Sequence, residues 1–139
     1  MIKIKQFKFS HLISLVTLLL LTNMAVDVAA YKTKSNKKNS VRVDVRPVQL
    51  VPGKSARFEV RMNTHSEELS YDMIAVSTLK DNKNREYQAT NWIGSPPGGH
   101  HLSGVLEFPA LDGSPESITL VIRLIADGSD RTFKWSVKR

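Results

Sequence analysis

His65, His100 and His101 are the side chains of this sequence best suited to chemistry. Neutral imidazole is a good ligand for zinc and copper. Met62 and Met73 flank the stretch that holds His65 and are candidate soft ligands for reduced copper. No zinc-ligand spacing frames the three histidines. Neighbours such as His100 and His101 point to opposite faces of a strand, so both can ligate only from a loop. The plainer alternative has one histidine ordering a loop by hydrogen bonds, the others solvated, and Met62 in the core.

Trp92 borders a loop and is a candidate contact residue, for instance as a platform for sugars. Gly98 and Gly99 follow Pro97 and let the backbone turn tightly at positive φ, so they join Trp92 as candidate binding residues. The segment lacks the lysine and following helix of a phosphate loop. Asp127-Gly128-Ser129-Asp130 is shorter than a calcium loop and reads as a hairpin turn. There is no G-x-S-x-G elbow and no cysteine nucleophile, and the adjacent acids Glu67 and Glu68 read as solvated. The expectation is a protein that is not an enzyme, with no nucleic-acid partner and no obligatory cofactor; copper or zinc is the metal if the histidines ligate.

Short strands must position these residues. Val41, Val43 and Val45 alternate with Arg42, Asp44 and Arg46, and Ala56, Phe58, Val60 and Met62 alternate with Arg57, Glu59 and Arg61. Tyr71 to Leu79 is apolar on both faces, and Arg85 to Trp92 is a weaker, polar-diluted run. Leu102 to Phe108, Ile118 to Leu124 and Phe133 to Val137 complete seven strands, with turn chemistry at Pro52-Gly53, Asp81 to Asn84 and Asp112 to Pro115. This rhythm predicts an all-β, seven-stranded antiparallel immunoglobulin-like β-sandwich over residues 41–139. If successive strands run antiparallel, the loops carrying His65, Gly98 to His101 and Asp127 share one end. Binding residues commonly sit on such loops.

The chain has 139 residues, a formal charge of +7 and no cysteine, so disulfides are excluded. Residues 1–30 read as a signal peptide. Lys3, Lys5 and Lys8 precede an apolar run from Leu12 to Leu21, and Val28 and Ala30 are the small residues of a cut after Ala30. The run is short for a bilayer span, which takes about 20 apolar residues. Secretion or delivery to a periplasm is expected, with an uncleaved N-terminal membrane anchor as the alternative. Residues 31–40 read as a flexible basic leader whose Lys32, Lys34, Lys37 and Lys38 offer contact with an anionic surface.

Four segments, Asn63 to Ser66, Asn91 to His101, Gly104 to Pro109 and Arg131 to Trp135, resemble small exported bacterial proteins of unassigned function. The resemblance covers most of residues 31–139 and implies a periplasmic or cell-surface accessory domain without a known activity. The functional expectation is an exported, non-enzymatic binding module that uses the loops at one end of the sandwich on a protein or cell-envelope partner. The alternative is a periplasmic copper- or zinc-binding protein with a histidine loop site at His65, His100 and His101.

Overall fold

The structure, a computed structural model, describes residues 31–138. The signal peptide expected over residues 1–30 lies outside them. Nine strands and one short helix follow in the order β1 (Lys34–Lys38), β2 (Val41–Gln49), β3 (Ser55–Asn63), α1 (Met73–Val76), β4 (Ser77–Asp81), β5 (Glu86–Gln88), β6 (Asn91–Gly94), β7 (His101–Ala110), β8 (Ser117–Ile125) and β9 (Ser129–Ser136). One antiparallel sheet has the order β1-β2-β3-β7-β6, the other β5-β4-β8-β9. The two face each other as a β-sandwich.

Period-two patterning sets the inner faces. Val41, Val43 and Val45 of β2 and Ala56, Phe58, Val60 and Met62 of β3 are buried, as are Leu102, Leu106 and Phe108 of β7. Ile118, Leu120 and Ile122 of β8 and Phe133 and Trp135 of β9 face them from the second sheet. Phe58 sits at the centre. Its ring meets Phe108 edge-on at 5.7 Å and Trp135 at 5.7 Å between centroids. The outer face of the first sheet is wet and balanced in charge: Arg46 bonds Glu59 across β2 and β3, and Arg57 bonds Glu107 across β3 and β7.

The sequence predicted seven strands and a loose leader, and the structure differs in three places. The leader is not flexible chain: Lys34–Lys38 forms β1, in register with Lys38 opposite Val41 and Lys34 opposite Val45. Apolar alternation is blind to this strand because backbone pairing and polar contacts hold it. The buried Arg131 donates from its two terminal nitrogens to Asn36 Oδ1 at 2.7 Å and the Lys38 carbonyl at 2.6 Å. Trp135 Nε1 donates to the Lys32 carbonyl at 3.1 Å.

The third predicted strand begins as a helical turn, because Asp72 accepts from the Ile74 and Ala75 amides and caps α1. The fourth splits between the sheets. β5 pairs with β4, whereas β6 pairs with β7, the crossing being fixed where the Thr90 amide donates to the Glu107 carbonyl at 2.8 Å.

Candidate functional site

The loop between β3 and α1, the loop between β6 and β7, and the β8–β9 turn meet at one end of the sandwich. Leu69 is the pin. It is the one buried apolar side chain in the otherwise polar stretch from Asn63 to Ser70, and its backbone makes a two-way bridge to the glycine loop. The Leu69 amide donates to the Gly99 carbonyl at 2.9 Å, and the Gly98 amide donates to the Leu69 carbonyl at 3.0 Å. Gly98 and Gly99 reach this pairing at φ of 122° and 69°, a region that side chains oppose. Thr64 is buried beside them. Its amide donates to the His100 carbonyl, and its hydroxyl accepts from the Ser66 and Glu67 amides.

The third loop is tied in by a tyrosine. Tyr71 Oη accepts from the Ala126 amide at 2.9 Å. Ala126 and Leu124 both take positive φ beside a bulge in β8, and Leu124 stands 63% exposed. The β1–β2 turn joins the same end through Asp127. Burial works to raise this carboxyl, but hydrogen bonds from Ser129 and Asn39 and the charge of Lys38 hold it below its ordinary range. Burial pushes the neighbouring Arg131 guanidinium down, against the opposing pull of Asp127.

The predicted site residues divide. His65, His100 and His101 are all exposed at this end. The amide of Thr64, which precedes His65, bonds the His100 carbonyl, so these two histidines rise from joined backbone. His101 Nδ1 lies 2.8 Å from Asn63 Oδ1, a pairing in which the amide oxygen accepts. Met62 and Met73 are buried in the core and do not join the histidines. Among the described residues, no three His, Cys, Asp or Glu side chains gather as a metal site.

Trp92 has a structural post. Its Nε1 donates to the Ser95 carbonyl at 2.9 Å, and its half-buried ring packs on the core over the facing pair Gly94 and Gly104.

No family model, no curated protein and no solved structure matches this chain.

Residues that sequence reasoning passed over matter most at this end. Leu69 and Tyr71 were legible only as lone apolar side chains in or beside a polar loop. Gly104 carried no turn signal, and Gly94, which the sequence places at the start of the proline-glycine loop, ends β6 instead. They are required because a side chain on Gly104 would meet the Ile93 carbonyl at 2.6 Å and the Gly94 Cα at 2.7 Å. The opposite end, whose turns read as plain connectors, holds an apolar groove of about 500 Å³ between Leu50, Val51, Pro52, Leu111, Pro115 and Val137.

Proposed function

We propose that this protein is an exported, non-enzymatic binding module that presents one end of an immunoglobulin-like β-sandwich to a protein or cell-envelope partner. The observation that carries the proposal is the two-way backbone bridge between Leu69 and Gly98-Gly99. With the Tyr71 bond to Ala126 it fixes three loops before any partner arrives. Ordering interface groups on binding costs about 0.5–1.5 kcal/mol for each immobilised side chain, and loops fixed in advance avoid much of that cost. The surface so held offers imidazoles at His65, His100 and His101, carboxylates at Glu67 and Glu68, and an exposed apolar group at Leu124. That mixture of apolar and polar contacts suits a protein surface.

The immunoglobulin-like reading is supported by strand order. β2-β3-β7-β6 against β4-β8-β9 corresponds in sequence to the A-B-E-D and C-F-G strands of that architecture, with β1 and β5 as additions. Export rests on Lys3, Lys5 and Lys8, the apolar run and the Val28/Ala30 exit. N-terminal sequencing of the exported protein should begin at Tyr31; an intact Met1 on membrane-bound protein would support the anchored alternative.

Photo-crosslinking in the exporting cell tests the binding end. A crosslinker placed at His65 or Leu124 should trap one discrete partner, and one placed at Lys54 on the opposite turn should not. Equal trapping from both ends would refute the assignment.

A second reading, a periplasmic copper- or zinc-binding protein, is favoured by the His101 bond to Asn63. A ligating histidine commonly donates its other ring nitrogen to such an oxygen. Calorimetry with copper and zinc should then show heat that His65→Ala or His101→Ala removes. No heat with either metal would leave the binding module alone.

A further inference from the structure

We propose that the groove between β1 and β9 docks the protein on a layer of phosphate-bearing lipid headgroups. The groove is open, encloses about 480 Å³, and is lined by Tyr31, Lys32, Lys34, Lys134, Trp135 and Lys138. It lies on the side of the sandwich where the edge strands of the two sheets meet, towards the end remote from the histidine loops. The proposal is independent of the loop-end partner, because the two surfaces share no residue.

The groove gathers lysines without carboxylate partners. Elsewhere six basic side chains are matched: Arg42 with Asp44, Arg46 and Arg61 with Glu59, Arg57 with Glu107, Lys80 with Glu86, and Arg85 with Asp81. The Arg46 and Arg61 guanidiniums hold the Glu59 carboxyl below its ordinary range, so that face is internally neutralised. Among the described residues no carboxylate pairs with Lys32, Lys34 or Lys134. Three unmatched lysines therefore line one groove.

The residue types fit a diffuse anionic layer. Lysine is a flexible point charge, suited to many mobile phosphates, whereas arginine suits one fixed bidentate partner. Two of the lysines lie over aromatic faces, Lys34 over Trp135 at 5.8 Å and Lys138 over Tyr31 at 5.4 Å, which holds the cations along the groove. The spread of four lysines along an open groove favours an extended anionic layer. Tyr31, Lys32 and Lys34 form one wall of the groove, and Lys134 and Lys138 line it with Trp135.

The test uses the protein recovered from the exporting cell, with whatever N-terminus it carries, and two vesicle types: phosphatidylcholine alone, and phosphatidylcholine mixed with phosphatidylglycerol. Co-sedimentation should be stronger on the anionic vesicles, and the difference should shrink as salt is raised. A lysine near an anionic surface changes partitioning about fivefold. The triple variant Lys32→Ser, Lys34→Ser, Lys134→Ser should therefore lose on the order of a hundredfold on anionic vesicles and nothing on neutral ones. Lys134→Ser alone, an exposed change that leaves β1 untouched, should lose about fivefold and guards against a folding defect in the triple variant. The variant Lys54→Ser, Lys83→Ser, Arg123→Ser has the same net charge and should keep nearly all of its binding. Equal loss in both triple variants, or no loss in the groove variants, overturns the proposal. So does competition by inorganic phosphate beyond that of chloride at equal ionic strength, which marks a single-phosphate site. Binding to a sulfated polysaccharide without binding to anionic vesicles overturns it in favour of a polysaccharide partner.

Discussion

One methyl group at Gly104 tests how the sandwich is closed on its β6 side. A Cβ there would lie 2.6 Å from the Ile93 carbonyl oxygen, 2.7 Å from the Gly94 Cα and 2.8 Å from Trp92 Cζ2. Two of these neighbours are backbone atoms of the paired strand, so a rotamer change cannot relieve the overlap. Overpacking of this kind costs about 1–3 kcal/mol. Gly104 is not among the residues at positive φ, so alanine also stiffens the unfolded chain and returns about 0.4–1 kcal/mol. Gly104→Ala should therefore lower stability by about 1–2 kcal/mol. For a domain near this size each kcal/mol moves Tm by about 4–8 °C. Urea unfolding followed by tryptophan fluorescence should show a lower midpoint at unchanged slope. Adding Trp92→Leu should return only the part of the loss due to the ring, because the backbone contacts persist. A Gly104→Ala protein as stable as the parent would mean that β6 and β7 are not so close, and the seat assigned to Trp92 would fall with that.

Phe58→Ala removes the ring at the centre of the aromatic cluster and should cost about 3–5 kcal/mol in chemical denaturation; a loss near zero would misplace β3. A chain beginning at Asn39 loses β1 and the hydrogen bonds to Arg131 and Trp135, and should melt well below the longer chain in calorimetry. An unchanged Tm would return residues 31–38 to the status of a dispensable leader. Burial works to raise the Asp81 carboxyl, but the Arg85 amide and guanidinium and the Lys83 amide hold it below its ordinary 3.8. The unfolded chain therefore takes up this proton first as pH falls, so the stabilisation is complete above about pH 4 and is lost below it. Asp81→Asn should be less stable at neutral pH and should converge on the parent in acid; parallel stability curves would refute the coupling.

The sandwich was legible because its long strands alternate. β2, β3, β7 and β8 bury every second residue, and period two needs no tertiary knowledge. The meeting of three loops at one end followed from strand direction, and the bonds from Thr64 to His100 and from Ala126 to Tyr71 realise it. β1 was illegible because its stabilising partners are backbone groups and one buried arginine 95 residues away from Asn36. The division of Arg85 to Trp92 was illegible for a related reason. Tyr87 and Trp92 both turn to the interior, but into different sheets, and local pattern does not say which neighbour a strand takes. The role of Gly94 and Gly104 is visible only once the two strands are paired.

The clasp between the two ends of the described chain has a consequence for the order of folding. Tyr31 Oη accepts from the Lys138 amide across 107 positions, and Trp135 reaches back to Lys32 across 103. A growing polypeptide that lacks its last few residues has β1 and β2 already made but no far wall for either to close upon. Contacts of such separation are slow to form, because loop closure must come before any reward. The sandwich should therefore close late, once β9 has been made. β9 acts as the latch, because β1 has no second sheet to close upon until Trp135 is in place.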